Sequence, residues 1–313
     1  GHGGEVRTRR ARSASAARRP AAARADCPVC PEAEVQHEAK RGTFEREKFA
    51  GFFAAGVNRL SLGVQSFDDR FLRALGRVHD AAEALRAAES ALMIFGNVNF
   101  DLMFALPGQR VDDARRDVAA ALSFAPPHLS FYHLTLEPNT LFHRYPPPLP
   151  DDEAAADIEE AVLEMLAHAR YAHYETSAHA TPGCECRHNL NYWRFGDYLG
   201  IGAGAHSKLS FSDRVVREVR WKQPKQYLEQ VARGTPLQEE ANVTRGDLPC
   251  EFMLNALRLT SGVPTSLFAE RTRTPHSVSV QPTVAPARLG VIRACPPPRK
   301  PHPLRWSVGR ACA

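Results

Sequence analysis

Apolar residues between positions 33 and 140 recur with two alternating periods. Ala33 to Ala39 is a short extended run, after which Thr43 opens an amphipathic helix carrying Phe44, Phe49, Phe52 and Phe53 and closed by Gly56. Asn58 to Val64 alternates, with Leu60, Leu62 and Val64 on one face, which predicts a strand. Asp80 is placed to cap a long Ala-rich helix to about Phe95, and Asn97 to Met103 alternates again through Val98, Phe100 and Leu102. Asp112 is placed to cap the next helix, which must end before Pro126 and Pro127, and His128 to Leu136 is a further strand. The order is βαβαβαβ.

Strands starting near residues 34, 58, 97 and 128 are each bridged by a helix, the spacing of crossovers in a parallel sheet. A doubly wound sheet and a full or partial βα barrel both fit. Glu38, Gln65, Asp101 and Glu137 fall at or just beyond the C-terminal part of a strand, where barrel side chains converge on a ligand. After Pro150 the pattern changes. Asp151 to His168 reads as an acidic-fronted helix, 171–178 as a strand, 207–221 as antiparallel strands, and Gln223 to Arg233 and Gly246 to Thr260 as helices. The expectation is a βα portion at 33–149 and a smaller α+β domain at 150–270.

Charge sharpens these boundaries. The formal net charge of +5 comes from the ends: residues 1–26 hold seven Arg against Glu5 and Asp26, and 271–313 hold eight Lys or Arg, eight Pro and no acid. Segments 1–32 and 271–313 are therefore expected to be disordered, and the folded middle is acidic, which argues against a nucleic-acid partner. No apolar run approaches the ~18 residues of a membrane span, so no stable membrane insertion is expected. The first 26 residues share the composition of a transit peptide but lack an apolar stripe. Seven Cys, an odd number without a signal peptide, point to a reducing compartment, read as cytoplasmic.

Four segments carry a family likeness: Asn58 to Phe67 (NRLSLGVQSF), Asn99 to Gln109 (NFDLMFALPGQ), His128 to Thr140 (HLSFYHLTLEPNT) and Arg187 to Trp193 (RHNLNYW). Together they resemble the heme chaperone HemW family, the radical S-adenosylmethionine relatives of oxygen-independent coproporphyrinogen III oxidase. The likeness runs from about Glu34 to about Thr272. It implies a partial radical-SAM-type (β/α) barrel lacking its first strands, binding S-adenosylmethionine and a 4Fe-4S cluster, with a C-terminal α+β domain that helps hold a tetrapyrrole. Glu38, Gln65, Arg77 and Asp101 match cofactor-binding positions. A sulfonium amino acid presents an ammonium, a carboxylate and ribose hydroxyls, to which carboxylates, an amide and a guanidinium are complementary. His188, in the HNLNYW run, is the heme-ligand candidate, a neutral imidazole being a sound axial ligand for iron.

The sequence also departs from the family. Its cluster motif, C-x3-C-x2-C after the first barrel strand, and the Gly-rich loop after the next strand are absent, and the two ends look foreign, as in a gene-model fusion. Cys27 and Cys30 form a C-x2-C pair that stands before the Glu34 strand and is read as incidental, with zinc or redox pairing as the alternative. Cys184, Cys186 and His188 would face one way on an extended segment, with no fourth ligand evident, so no metal site is assigned. Gly200 to Ala205 (GIGAGA) precedes a strand rather than a helix, so close backbone packing is expected there in place of a dinucleotide loop. His79, His133, His173 and His206 read as ordinary side chains, and Phe131 and Tyr132 as core residues or stacking surfaces. The expected function is a heme chaperone passing heme to apo-proteins. The alternatives are an oxidase that converts two propionates to vinyls, and a fragment whose exposed sheet edge leaves it without working machinery.

Overall fold

A computed structural model describes residues 30, 32–39, 46–138 and 140–273. The ends read as disordered, together with Thr43, Phe44 and Cys27, lie outside the described residues, apart from residues 30, 32 and 271–273, of which Arg271 and Thr272 end a helix. The chain divides into two compact units between Arg187 and His188.

The first unit is built on one six-stranded sheet in the order β1-β2-β3-β4-β6-β5. Strands β1 (Gln36–Ala39), β2 (Arg59–Gln65), β3 (Val98–Phe104) and β4 (His128–His133) run parallel, and β5 (Ala172–Glu175) and β6 (Ala178–Ala180) close the row as an antiparallel pair. Among the described residues the sheet ends at β1 and β5, a partial barrel. Helices α1 (Arg46–Ala54), α2 (Asp69–Ala74), α3 (Ala81–Ile94), α4 (Val111–Ser123), α5 (Leu141–Arg144) and α6 (Asp152–His168) follow their strands. The apolar phase of each strand makes the core: Leu60, Leu62 and Val64 from β2, Val98, Phe100 and Leu102 from β3, and Leu129 from β4 are wholly buried with Phe49, Ala84, Ala91 and Val118 of the helices.

Local chemistry accounts for most helix ends. Asp80 accepts from the Glu83 amide and starts α3, which ends at Ile94, and Asp151 accepts from Ala154 to start α6. At α4 the cap differs from expectation. Asp112 is an exposed first-turn residue paired with Arg115, while Asp113 reaches back to the Arg110 amide. The 171–178 segment is a hairpin rather than one strand, turning at Thr176 and Ser177. Because that hairpin extends the first sheet through β6 against β4, the structural division falls at 187/188, whereas hydropathy alone placed a boundary at 149/150.

The second unit contains α7 (Arg187–Trp193), which begins at the last residue of the first, a three-stranded antiparallel sheet of β7 (His206–Ser210), β8 (Val215–Arg220) and β9 (Leu237–Val243), and helices α8 (Pro224–Ala232), α9 (Leu248–Ala256) and α10 (Ser266–Thr272). Phe195, Val215, Leu248, Phe252 and Ala256 form its core. Lys208 is buried beneath this core but all three of its donors are used, on Phe195 O, Asp197 Oδ1 and Ser210 Oγ at 2.9–3.0 Å. Strand β9 was not legible in advance: its residues alternate between half-buried and exposed, and the outer phase is Gln238, Glu240 and Asn242.

Candidate cofactor-binding site

One face of the first sheet packs on helices; the other is polar. Gln36 and Glu38 on β1, Arg59 and Ser61 on β2, Asn99 and Asp101 on β3 and His128 and Ser130 on β4 occupy alternate positions, so the period of two that buries the apolar set also aligns the polar one. Arg59, Ser61, Asn99, His128 and Ser130 are buried. Burial on this scale requires hydrogen-bond partners, and they are present. The Arg59 guanidinium donates to Gln36 and Asn97, Ser61 Oγ donates to Asp101 Oδ2 at 2.8 Å, and Asn99 Nδ2 donates to Asp101 Oδ1 at 2.8 Å.

Three of the four expected cofactor residues lie on adjacent strands here, Gln65 at the end of its own. Glu38 pairs in register with Ser61, whose hydroxyl holds Asp101, and accepts from the Gln36 amide. Burial, then the charge of Glu38, pushes the Asp101 carboxyl up to about 7. Gln65 closes β2 with φ 71°, a left-handed backbone at a register shift between Gly63 and Gln65. That turn lays its amide over Gly63: a Cβ there would sit 3.0 Å from Gln65 Nε2, and Gly63 lies opposite Asp101. Arg77, from the loop before α3, donates to Gln65 Oε1 at 3.4 Å. Ser61 thus links the Glu38 and Asp101 positions, and Arg77 meets Gln65, whose amide lies over the residue opposite Asp101. Glu137 is half-buried beyond β4, and Thr135 Oγ1 contacts its carboxylate at 3.4 Å.

The strained Gln65 turn is fixed from below. Asp117 of α4 accepts from Ser66 Oγ at 2.6 Å and from the Phe67 amide at 2.7 Å, and burial raises its carboxyl to about 6. Sequence reading missed Ser61, Asn99, His128, Ser130 and Asp117. The first four were visible as the polar phase of strands whose apolar phase was read; Asp117 carried no such signal.

His188 stands in the second unit, exposed at the start of α7, its ring edge-on to Tyr192 with centroids 4.5 Å apart. Tyr192 in turn meets Tyr198 at 4.5 Å, and Arg217 donates to the Tyr198 hydroxyl. The helix begins at Arg187, so Cys184, Cys186 and His188 do not share one extended face. The Cys186 thiol is buried against Glu34 and Gln36. At Gly200 a Cβ would lie 2.2 Å from His206 O, which confirms close backbone packing at the GIGAGA segment.

Residues 4–121 match the radical SAM superfamily, a span that starts within the segment read as foreign to the family. The heme chaperone HemW of Haemophilus influenzae is 48% identical over 241 residues, covering 76% of this chain and 62% of that protein; the Escherichia coli HemW is 46% identical over 243 residues, at 77% and 63%. The chain is HemW-like, with its radical SAM match confined to residues 4–121. HemW of Bacillus subtilis is 36% identical over 244 residues. The chain spans about 63% of the length of these curated relatives. The fold is also that of the E. coli coproporphyrinogen III oxidase HemN, a radical SAM enzyme, with TM-score 0.69 at 22% identity, covering 83% of this chain and 63% of that one.

A radical SAM family implies S-adenosylmethionine and a 4Fe-4S cluster. The two groups fare differently against the residues present. Glu38 and Asp101 are neighbouring carboxylates on a half-buried polar face, a stress that a cationic sulfonium amino acid would relieve. For the cluster, no three of the seven Cys have the C-x3-C-x2-C spacing, and no group of three or more His, Cys, Asp or Glu is placed to hold a metal among the described residues. The residues described here therefore do not fit a cluster, and no chemistry is derived through one.

Proposed function

We propose that this chain is a heme chaperone of the radical SAM class, binding S-adenosylmethionine through Glu38, Gln65, Arg77 and Asp101 and heme through His188, and passing heme to apo-proteins. The observation that carries the heme half is the exposed His188 imidazole, presented at the start of a helix and backed edge-on by Tyr192, in a chain 46–48% identical to proteins named heme chaperones. The nucleoside half rests on the paired carboxylates Glu38 and Asp101 with the Gln65 amide laid beside them. Oxidation of coproporphyrinogen is the weaker reading, because the likeness to the oxidase is one of fold at 22% identity. We place the chaperone in the cytoplasm from its cysteine usage; no described helix is long and apolar enough to cross a membrane.

The test is titration of the whole chain with heme. Wild type is expected to shift the Soret band and His188→Ala to lose the shift. An identical spectrum in both would remove His188 from the heme site.

A further inference from the structure

The polar face of the first sheet holds a hydrogen-bond relay whose proton positions are determined. Asn99 makes all four bonds open to its amide. Nδ2 donates to Ser61 Oγ at 2.9 Å and to Asp101 Oδ1 at 2.8 Å, and Oδ1 accepts from Ser130 Oγ at 3.0 Å. The fourth partner is His128 Nδ1, 2.7 Å from Asn99 Oδ1. A carbonyl oxygen only accepts, so Nδ1 must carry the proton. Burial holds the His128 imidazolium pKa well below its ordinary value, so the ring is neutral and Nε2 bears a lone pair. The Tyr174 hydroxyl, 2.8 Å away, therefore donates to Nε2, and its own oxygen accepts from the Cys186 amide at 3.3 Å.

We propose that His128 is a positioning residue for Asp101: as the Nδ1–H tautomer it locks the Asn99 amide, which orients the Asp101 carboxylate for the nucleoside. The opposite tautomer would set two lone pairs against each other at 2.7 Å. Rotating Asn99 to relieve this would turn its oxygen onto the carboxylate. Tyr174 complements the Nδ1–H state by donating its hydroxyl proton to Nε2. The inference rests on the reading of Asp101 as a cofactor contact.

Two measurements on the full chain test it. The first is nitrogen-15 spectroscopy of the His128 ring, expected to show protonated Nδ1 and unprotonated Nε2 in wild type, and a shift toward the other tautomer in Tyr174→Phe. The second is calorimetric titration with S-adenosylmethionine. His128→Asn keeps a donor nitrogen as many bonds from the backbone as Nδ1, and is expected to bind within about threefold of wild type. His128→Gln, whose nitrogen lies one bond further out, and His128→Phe are expected to bind about tenfold more weakly, Gln serving where Phe does not fold. A protonated Nε2 in wild type, or His128→Gln binding as wild type does, overturns the positioning role alone. A wild-type chain that binds no S-adenosylmethionine overturns the site reading and the positioning role with it.

Discussion

His179 on β6 is 3% exposed, and neither ring nitrogen makes a hydrogen bond among the described residues. It stacks on His173 with centroids 4.3 Å apart and meets Phe131 edge-on, so its polar atoms face an apolar phase of the sheet. Burial, then the nearby His173, lowers its pKa to about 3. An unsatisfied buried polar side chain costs about 1–3 kcal/mol, so His179→Leu is expected to raise stability at pH 7.5 by about 1 kcal/mol after loss of the stack. Urea unfolding measures this, and a destabilised variant would show that the imidazole has a partner in solution. Single residues were the least legible scale. Glu38, Gln65 and Asp101 showed as polar residues late in their strands, Arg77 came from family likeness alone, and the links among them needed the strand register. Asn99 and His128 looked like ordinary strand residues because, Asp101 aside, their partners lie 29 residues or more away in the chain.

At the scale of elements, period and caps carried most of the information. Strands β2, β3 and β4 and helices α3 and α6 follow from alternation and from Asp80 and Asp151, since each depends on neighbours within a few residues. The β5–β6 hairpin and β9 were misread or missed because their faces are defined by distant partners. Two strand-associated glycines show how element geometry separates function from folding. A Cβ at Gly63 would press only on the movable end of Gln65, with Ala39 O at an ordinary 3.9 Å, whereas one at Gly200 would meet the backbone of His206. Gly63→Ala is therefore expected to fold at least as stably, by up to about 0.5–1 kcal/mol, while weakening S-adenosylmethionine binding by displacing the Gln65 amide. Gly200→Ala is expected to lower the melting temperature with no specific effect on nucleoside affinity. Calorimetry and thermal melts on both variants decide it; unchanged binding in Gly63→Ala would separate Gln65 from the site.

For the whole molecule, the buried groups of the first unit set opposing pH dependences. Asp101 and Asp117 have carboxyls raised from 3.8 to about 7 and about 6, so the folded state binds the extra proton and their contribution to stability falls as pH rises through that interval. His128 and His179 are lowered from 6.5, and His37 less deeply buried moves the same way; here the unfolded state binds the proton, and stability falls as pH drops below 6.5. Between about pH 4 and 6 the two sets nearly cancel, which predicts a shallow plateau. Below it, protonation of carboxylates such as Asp68, held low by Arg70, adds to the loss. Asp101→Asn removes one falling contribution and leaves the histidines opposed by Asp117 alone. Its stability is expected to climb across pH 4–6 by about 1.4 kcal/mol per pH unit relative to wild type, the slope of one proton. Urea midpoints for both proteins across that range provide the measurement. Parallel profiles would mean that Asp101 ionises as an ordinary carboxylate, and the cationic ligand would then relieve no stress at this face.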